Sequence, residues 1–74
     1  MSKLRVLSAK EVSKILEDNG FSKIRQKGSH IVYQKAIENS TITVIVPNYS
    51  EIRSGTLSSI IRQSQLPRSL FEVK

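Results

Sequence analysis

The apolar residues change their spacing twice along this chain, and that double change limits the folds open to it more than any other feature. Val12, Ile15 and Leu16 recur at helical intervals up to Gly20. Beyond Gly20 the interval shortens, and Phe21 to Gln26, His30 to Lys35 and Thr41 to Val46 are rich in Ile, Val, Thr and Tyr, residues that fit a pleated surface. Helical spacing returns at Leu57, Ile60 and Ile61. The order read from these periods is α-β-β-β-α. A three-stranded antiparallel sheet with one apolar face needs a cover, and two helices on that face supply it, so the expected class is a two-layer α+β domain with the opposite sheet face wet.

Boundaries follow from local chemistry. Ser8 followed by Glu11 is a capping-box pattern, and Gly20 is a stop signal, so the first helix is expected over about Ala9 to Asn19. Lys27, Gly28 and Ser29 form a tight hairpin connection in which Gly28 can take positive φ, and Ile37 to Ser40 makes the second turn. Pro47 lacks the N–H a ladder needs and ends the third strand. The polar run Asn48 to Arg53 leads to Ser54 as an expected cap, and the second helix runs from Gly55 or Thr56 to Gln65. Pro67 blocks its continuation, leaving Leu70, Phe71 and Val73 as an apolar tail.

A chain of 74 residues with no cysteine has neither disulfides nor thiolate metal sites to support it. Packing must do that work, so residues 1–74 are expected to form one domain with a thin core. Met1 to Lys10 lack the apolar run of a signal peptide, and nothing approaches a membrane span, which suits a soluble cytoplasmic protein without membrane association.

Charge narrows the partner without naming it. Twelve Lys and Arg against six Asp and Glu give a net charge of +6. Lys23, Arg25, Lys27 and Lys35 fall in a stretch with no acidic residue before Glu38. Such a surface attracts RNA phosphates, or an acidic protein, or is simply a solvated strand face. Within it, Arg25-Gln26-Lys27-Gly28-Ser29-His30 places the one histidine of the sequence beside a glycine turn. Imidazole can take a proton from a ribose 2′-hydroxyl or give one to a leaving 5′-oxygen. Lys27 could counter the charge of a phosphorane, and Gly28 leaves room for a phosphodiester backbone. A lone histidine at a strand start also occurs as an ordinary surface residue, and spacing does not choose between the two. One His, no Cys and scattered carboxylates lack the convergent ligands of a zinc site, so neither metal nor cofactor is expected. Ser29 has no second histidine to activate it and more plausibly shapes the turn. Gly55-Thr56 could present helix N–H groups to a phosphate or serve only as a helix start, and Tyr33 could stack on a base or cover the sheet.

Gly20-Phe21, Arg25-Gln26-Lys27-Gly28-Ser29-His30, Val46-Pro47 and Gly55-Thr56-Leu57 together resemble the HicA toxin family, over nearly the whole chain. The resemblance implies a double-stranded-RNA-binding-domain-like fold, an mRNA-cleaving endoribonuclease, and neutralisation by a HicB-like antitoxin in a type II toxin–antitoxin system. His30 matches the family's catalytic histidine, and Gly28 and Ser29 its flanking turn. RNA contacts at Lys23, Arg25, Lys27, Gly28, Ser29 and Lys35 are inferred from charge and proximity. Two departures stand out: Tyr49 replaces a second histidine carried by many relatives, and Ser54 replaces a proline before Gly55-Thr56-Leu57. The same element order also serves duplex-RNA readers, which makes a non-catalytic RNA-binding module the alternative. Such readers place several lysines at the start of their last helix, where this chain has only Arg62 between Gly55 and Gln65.

Overall fold

A computed structural model of the chain describes residues 6–72. Its elements are α1 (Ala9–Asp18), β1 (Ser22–Lys27), β2 (His30–Ile37), β3 (Ser40–Pro47) and α2 (Ser54–Ser64), followed by a short 3₁₀ helix, Arg68–Phe71. The strands form one antiparallel sheet in the order β1-β2-β3. The α-β-β-β-α order and the α+β class are therefore those read from the hydrophobic periods.

Both ends of α1 are closed by hydrogen bonds that the sequence encodes. Ser8 Oγ accepts the Glu11 N–H at 3.1 Å, and the Glu11 carboxylate accepts the Ser8 N–H at 3.0 Å, completing the capping box. At the other end Gly20 takes φ +94°, the Phe21 N–H reaches Leu16 O and the Gly20 N–H reaches Glu17 O. This is a Schellman closure, and it explains two boundaries at once. Asn19 is the C-cap and not a helical residue, and Phe21 turns into the core before pairing starts at Ser22.

Alternation along the strands sorts residues between the two faces of the sheet. Ile31 and Tyr33 of β2 and Val44 and Val46 of β3 are buried on one face. Val12 and Leu16 of α1 and Leu57 and Ile60 of α2 join them in one core with Leu7, Phe21, Ile52 and Phe71, so both helices lie on the same side. Tyr33 is 3% exposed, which settles it as a sheet cover. The apolar tail divides: Phe71 is fully buried, Leu70 is 41% exposed, and Val73 lies outside the described residues.

The start of α2 differs from expectation. Arg53 is extended (φ −77°, ψ 163°) and acts as N-cap without a side-chain bond, while Ser54 is already helical. Ser54 is thus no cap but the first helical residue, the position where proline is favoured because its N–H has no intrahelical partner anyway. The entry is fixed from outside the helix by an isolated bridge between Leu7 and Ile52, whose N–H donates to Leu7 O at 2.6 Å. At the far end Gln65 is not the last helical residue but a C-cap in the left-handed region, φ 61°. Ser64, buried beside it, donates to Ile61 O and accepts the Leu66 N–H. Among the described residues no helix is long and apolar enough to cross a membrane.

Candidate functional site

The histidine-bearing turn is held from three directions. Gly28 and Ser29 are the two loop residues between β1 and β2, and Gly28 has φ +59°. A positive φ at the first loop position suits a hairpin turn whose twist matches its strands, and glycine adopts it without steric cost. Gln26 Nε2 donates to Gly28 O at 3.2 Å, and the Asn48 N–H donates to Ser29 O at 2.6 Å from beyond β3. Lys27 and His30 form the closing pair of the hairpin, and Pro47 is the partner of His30 on the other side.

Register then builds the site, because cross-strand partners share a face. Lys27, His30 and Pro47 form one row across the three strands, and Arg25, Val32 and Ile45 form the next. Both rows lie on the sheet face away from the helices, since Ile31 and Val46, between them in sequence, are buried. Arg25, Lys27, Gly28, Ser29, His30, Val32 and Ile45 line one open groove of about 600 Å³. No acidic residue lines it. His30 is exposed, and among the described residues no side chain hydrogen-bonds its ring. The groove thus offers an imidazole with both nitrogens available, a lysine directly across the hairpin from it, an arginine one row away, and backbone exposed at the turn. That combination can bind a phosphodiester and exchange a proton with it.

Two of the basic residues singled out from the sequence are not brought to this groove. Counting alternate residues along β1 would place Lys23 on the same face as Arg25 and Lys27. An irregularity between Lys23 and Arg25 breaks the alternation, so Lys23 pairs with Tyr33 on the helix side, where its Nζ donates to Gln26 Oε1 at 3.3 Å. An extra residue at a bulge reverses the facing of everything before it. Lys35 also belongs to the helix side, two residues beyond Tyr33. It is half-buried, with its Nζ 5.8 Å from the centre of the Phe21 ring and its stem against Gly20.

Other candidates are dispersed. Tyr49 is 55% exposed and lines a separate small hollow with Glu51, Ile52, Arg53 and Thr56 at the start of α2. Gly55 has open space around it. No group of three or more His, Asp or Glu converges among the described residues. Sequence reasoning overlooked Val32 and Ile45 as part of the groove. The signal was present: a two-residue turn at Gly28-Ser29 fixes Lys27 opposite His30, which sets Arg25 opposite Val32.

Compared with models of protein families, residues 9–66 match the family described as the HicA toxin of bacterial toxin–antitoxin. The matched span runs from the start of α1 past the end of α2 and includes the whole groove. No curated protein matches the chain.

Proposed function

This chain belongs to the HicA toxin family of bacterial toxin–antitoxin systems, and from that premise we propose that it is a cytoplasmic endoribonuclease that cleaves mRNA with His30 as its acid/base group. The observation that carries the reading is the groove, in which His30 stands beside Lys27 and Arg25 at a glycine turn, with no acidic side chain among its lining residues. His30 takes the proton of a ribose 2′-hydroxyl. The 2′-oxygen then bonds to phosphorus while the bond to the 5′-oxygen breaks, leaving a 2′,3′-cyclic phosphate and a 5′-hydroxyl. Lys27 counters the charge that gathers on the phosphorane, and Arg25 holds the neighbouring phosphate. The proton for the leaving oxygen comes from water, from Lys27 or from His30 returning the one it took. The reaction as proposed uses no protein-bound metal ion.

RNA contact in this reading centres on Arg25, Lys27, Gly28 and Ser29, with Lys23 and Lys35 outside the groove and meeting RNA only where it extends past the sheet. A HicB-like antitoxin, acidic where it docks, neutralises the toxin by covering His30 and pairing with the same cations. Induction of the wild-type chain and of His30→Ala at matched levels in a bacterial host tests the catalytic role. Growth arrest with loss of mRNA is expected for the wild type alone. Cleavage of purified RNA at an undiminished rate by His30→Ala would overturn the mechanism.

A further inference from the structure

A solvated sheet face has no need of exposed aliphatic side chains, yet this one carries them beside the cations. Val32 and Ile45 are direct partners across β2 and β3, and Ile45 leaves 48% of its surface in water. Both line the His30 groove. We propose that Val32 and Ile45 form a nucleobase seat, so that this face takes single-stranded RNA with one unstacked base lying on the two aliphatic side chains. The proposal rests on the RNA reading given above and specifies the form of the RNA.

The row geometry supplies the argument. Lys27 and His30 stand in one row, and Val32 and Ile45 in the next, flanked by Arg25. Two residues along a strand span roughly 6.6 Å, comparable to the separation of a phosphate from the base of its own nucleotide. A phosphate held at Lys27 and His30 therefore brings a base over Val32 and Ile45. The flat face of every base is weakly hydrated, so covering the two side chains removes apolar surface from water whichever base is present. An A-form duplex keeps its bases stacked and offers only phosphates, 2′-hydroxyls and base edges. Against a duplex the seat stays uncovered, and only the charge of Arg25 and Lys27 acts. The positive flank of the seat favours a polyanion that also carries apolar planes, which is the chemistry of an unpaired strand.

Val32 and Ile45 also steady the sheet as a cross-strand pair, so the test must keep their branching. Val32→Thr and Ile45→Thr preserve the branched Cβ and replace a methyl or ethyl group by a hydroxyl. The measurement is fluorescence anisotropy at fixed salt, with a labelled RNA blocked against cleavage by 2′-O-methyl groups, offered single-stranded or as a hairpin duplex of the same composition. The wild type is expected to bind the single strand about tenfold more tightly than the duplex, and each threonine to weaken single-strand binding roughly threefold, the loss of one or two buried methyl equivalents. Duplex affinity and the circular-dichroism melting temperature stay within error. A single strand with abasic sites should lose affinity for the wild type and little further for the double variant. Equal wild-type affinity for both RNA forms, or unchanged single-strand affinity in the threonine variants, overturns the seat and leaves an acidic protein surface as the occupant of this face. Failure of the enzymatic reading looks different. Single-strand preference without cleavage sustains the seat and removes the nuclease, while His30-dependent cleavage that ignores both threonines sustains the nuclease and removes the seat.

Discussion

Arg25 and Lys35 carry the same charge and sit at comparable distances from His30 in sequence, yet the fold gives them opposite employment. Arg25 faces water in the groove, whereas Lys35 lies over Phe21 on the helix side. Lys35→Met, which keeps the stem and removes the ammonium, should therefore leave RNA cleavage within about twofold and cost about 0.5–1 kcal/mol of stability through the lost cation–π contact. Lys27→Glu reverses a groove charge and should lower cleavage by about a hundredfold or more, on the order of what one lost transition-state donor costs. It should also loosen a HicB-like antitoxin, measured by calorimetric titration, and unchanged antitoxin affinity would argue against a shared surface. His30 and its glycine turn were legible in the sequence because residue type and motif carry them. The facing of Lys23 was not, because nothing in Ser22 to Lys27 announces a bulge.

Within the secondary structure, the sequence was most readable where a side chain closes an end. Ser8 and Glu11 mark the start of α1 by residue type alone, and Ser8→Ala should destabilise the fold by about 1 kcal/mol in urea unfolding. Gln65, by contrast, gives no sign that it will adopt φ 61°. It does so because the chain must turn at once to bring Leu66 and Phe71 back onto the core, with the Ser64 hydroxyl bridging the turn. Gln65→Gly relieves the left-handed penalty and should stabilise by roughly 0.5–1 kcal/mol, the left-handed cost less the entropy glycine adds to the unfolded chain. Ser54 was misread for a related reason. A serine before a helical stripe is a cap by statistics, but the Leu7–Ile52 bridge brings the backbone into helical geometry one residue earlier. Strand limits were legible to within two residues because Gly28 marks the first turn by residue type, but the second turn was read as Ile37 to Ser40, whereas both of those residues pair and only Glu38 and Asn39, the latter at φ 64°, make the loop.

For the molecule as a whole, the division of labour is between two faces of one sheet. One is covered by both helices and holds the fold together, and the other carries the groove. The net charge of +6 is shared by both faces and by the helices. Only the cations that touch phosphate release counter-ions, so the logarithm of RNA affinity should fall with the logarithm of salt at a slope nearer about −1.4 than −2.8, the value for two contacts on a single strand and not for four. A slope near the larger value would bring Lys23 and Lys35 back among the RNA contacts.

The bulge at Ile24 has a second consequence, for the company the protein keeps in a crowded cell. β1 is an outer strand, and its free backbone is a template onto which another chain could zip. A bent strand with one residue out of step offers no straight run of partners, so the irregularity that moved Lys23 away from the groove also guards the protein against adding strands edge to edge. Deleting Ile24 would keep Lys23 opposite Tyr33 and Arg25 opposite Val32, each on its present face, and would leave behind a flat, open margin prone to self-association.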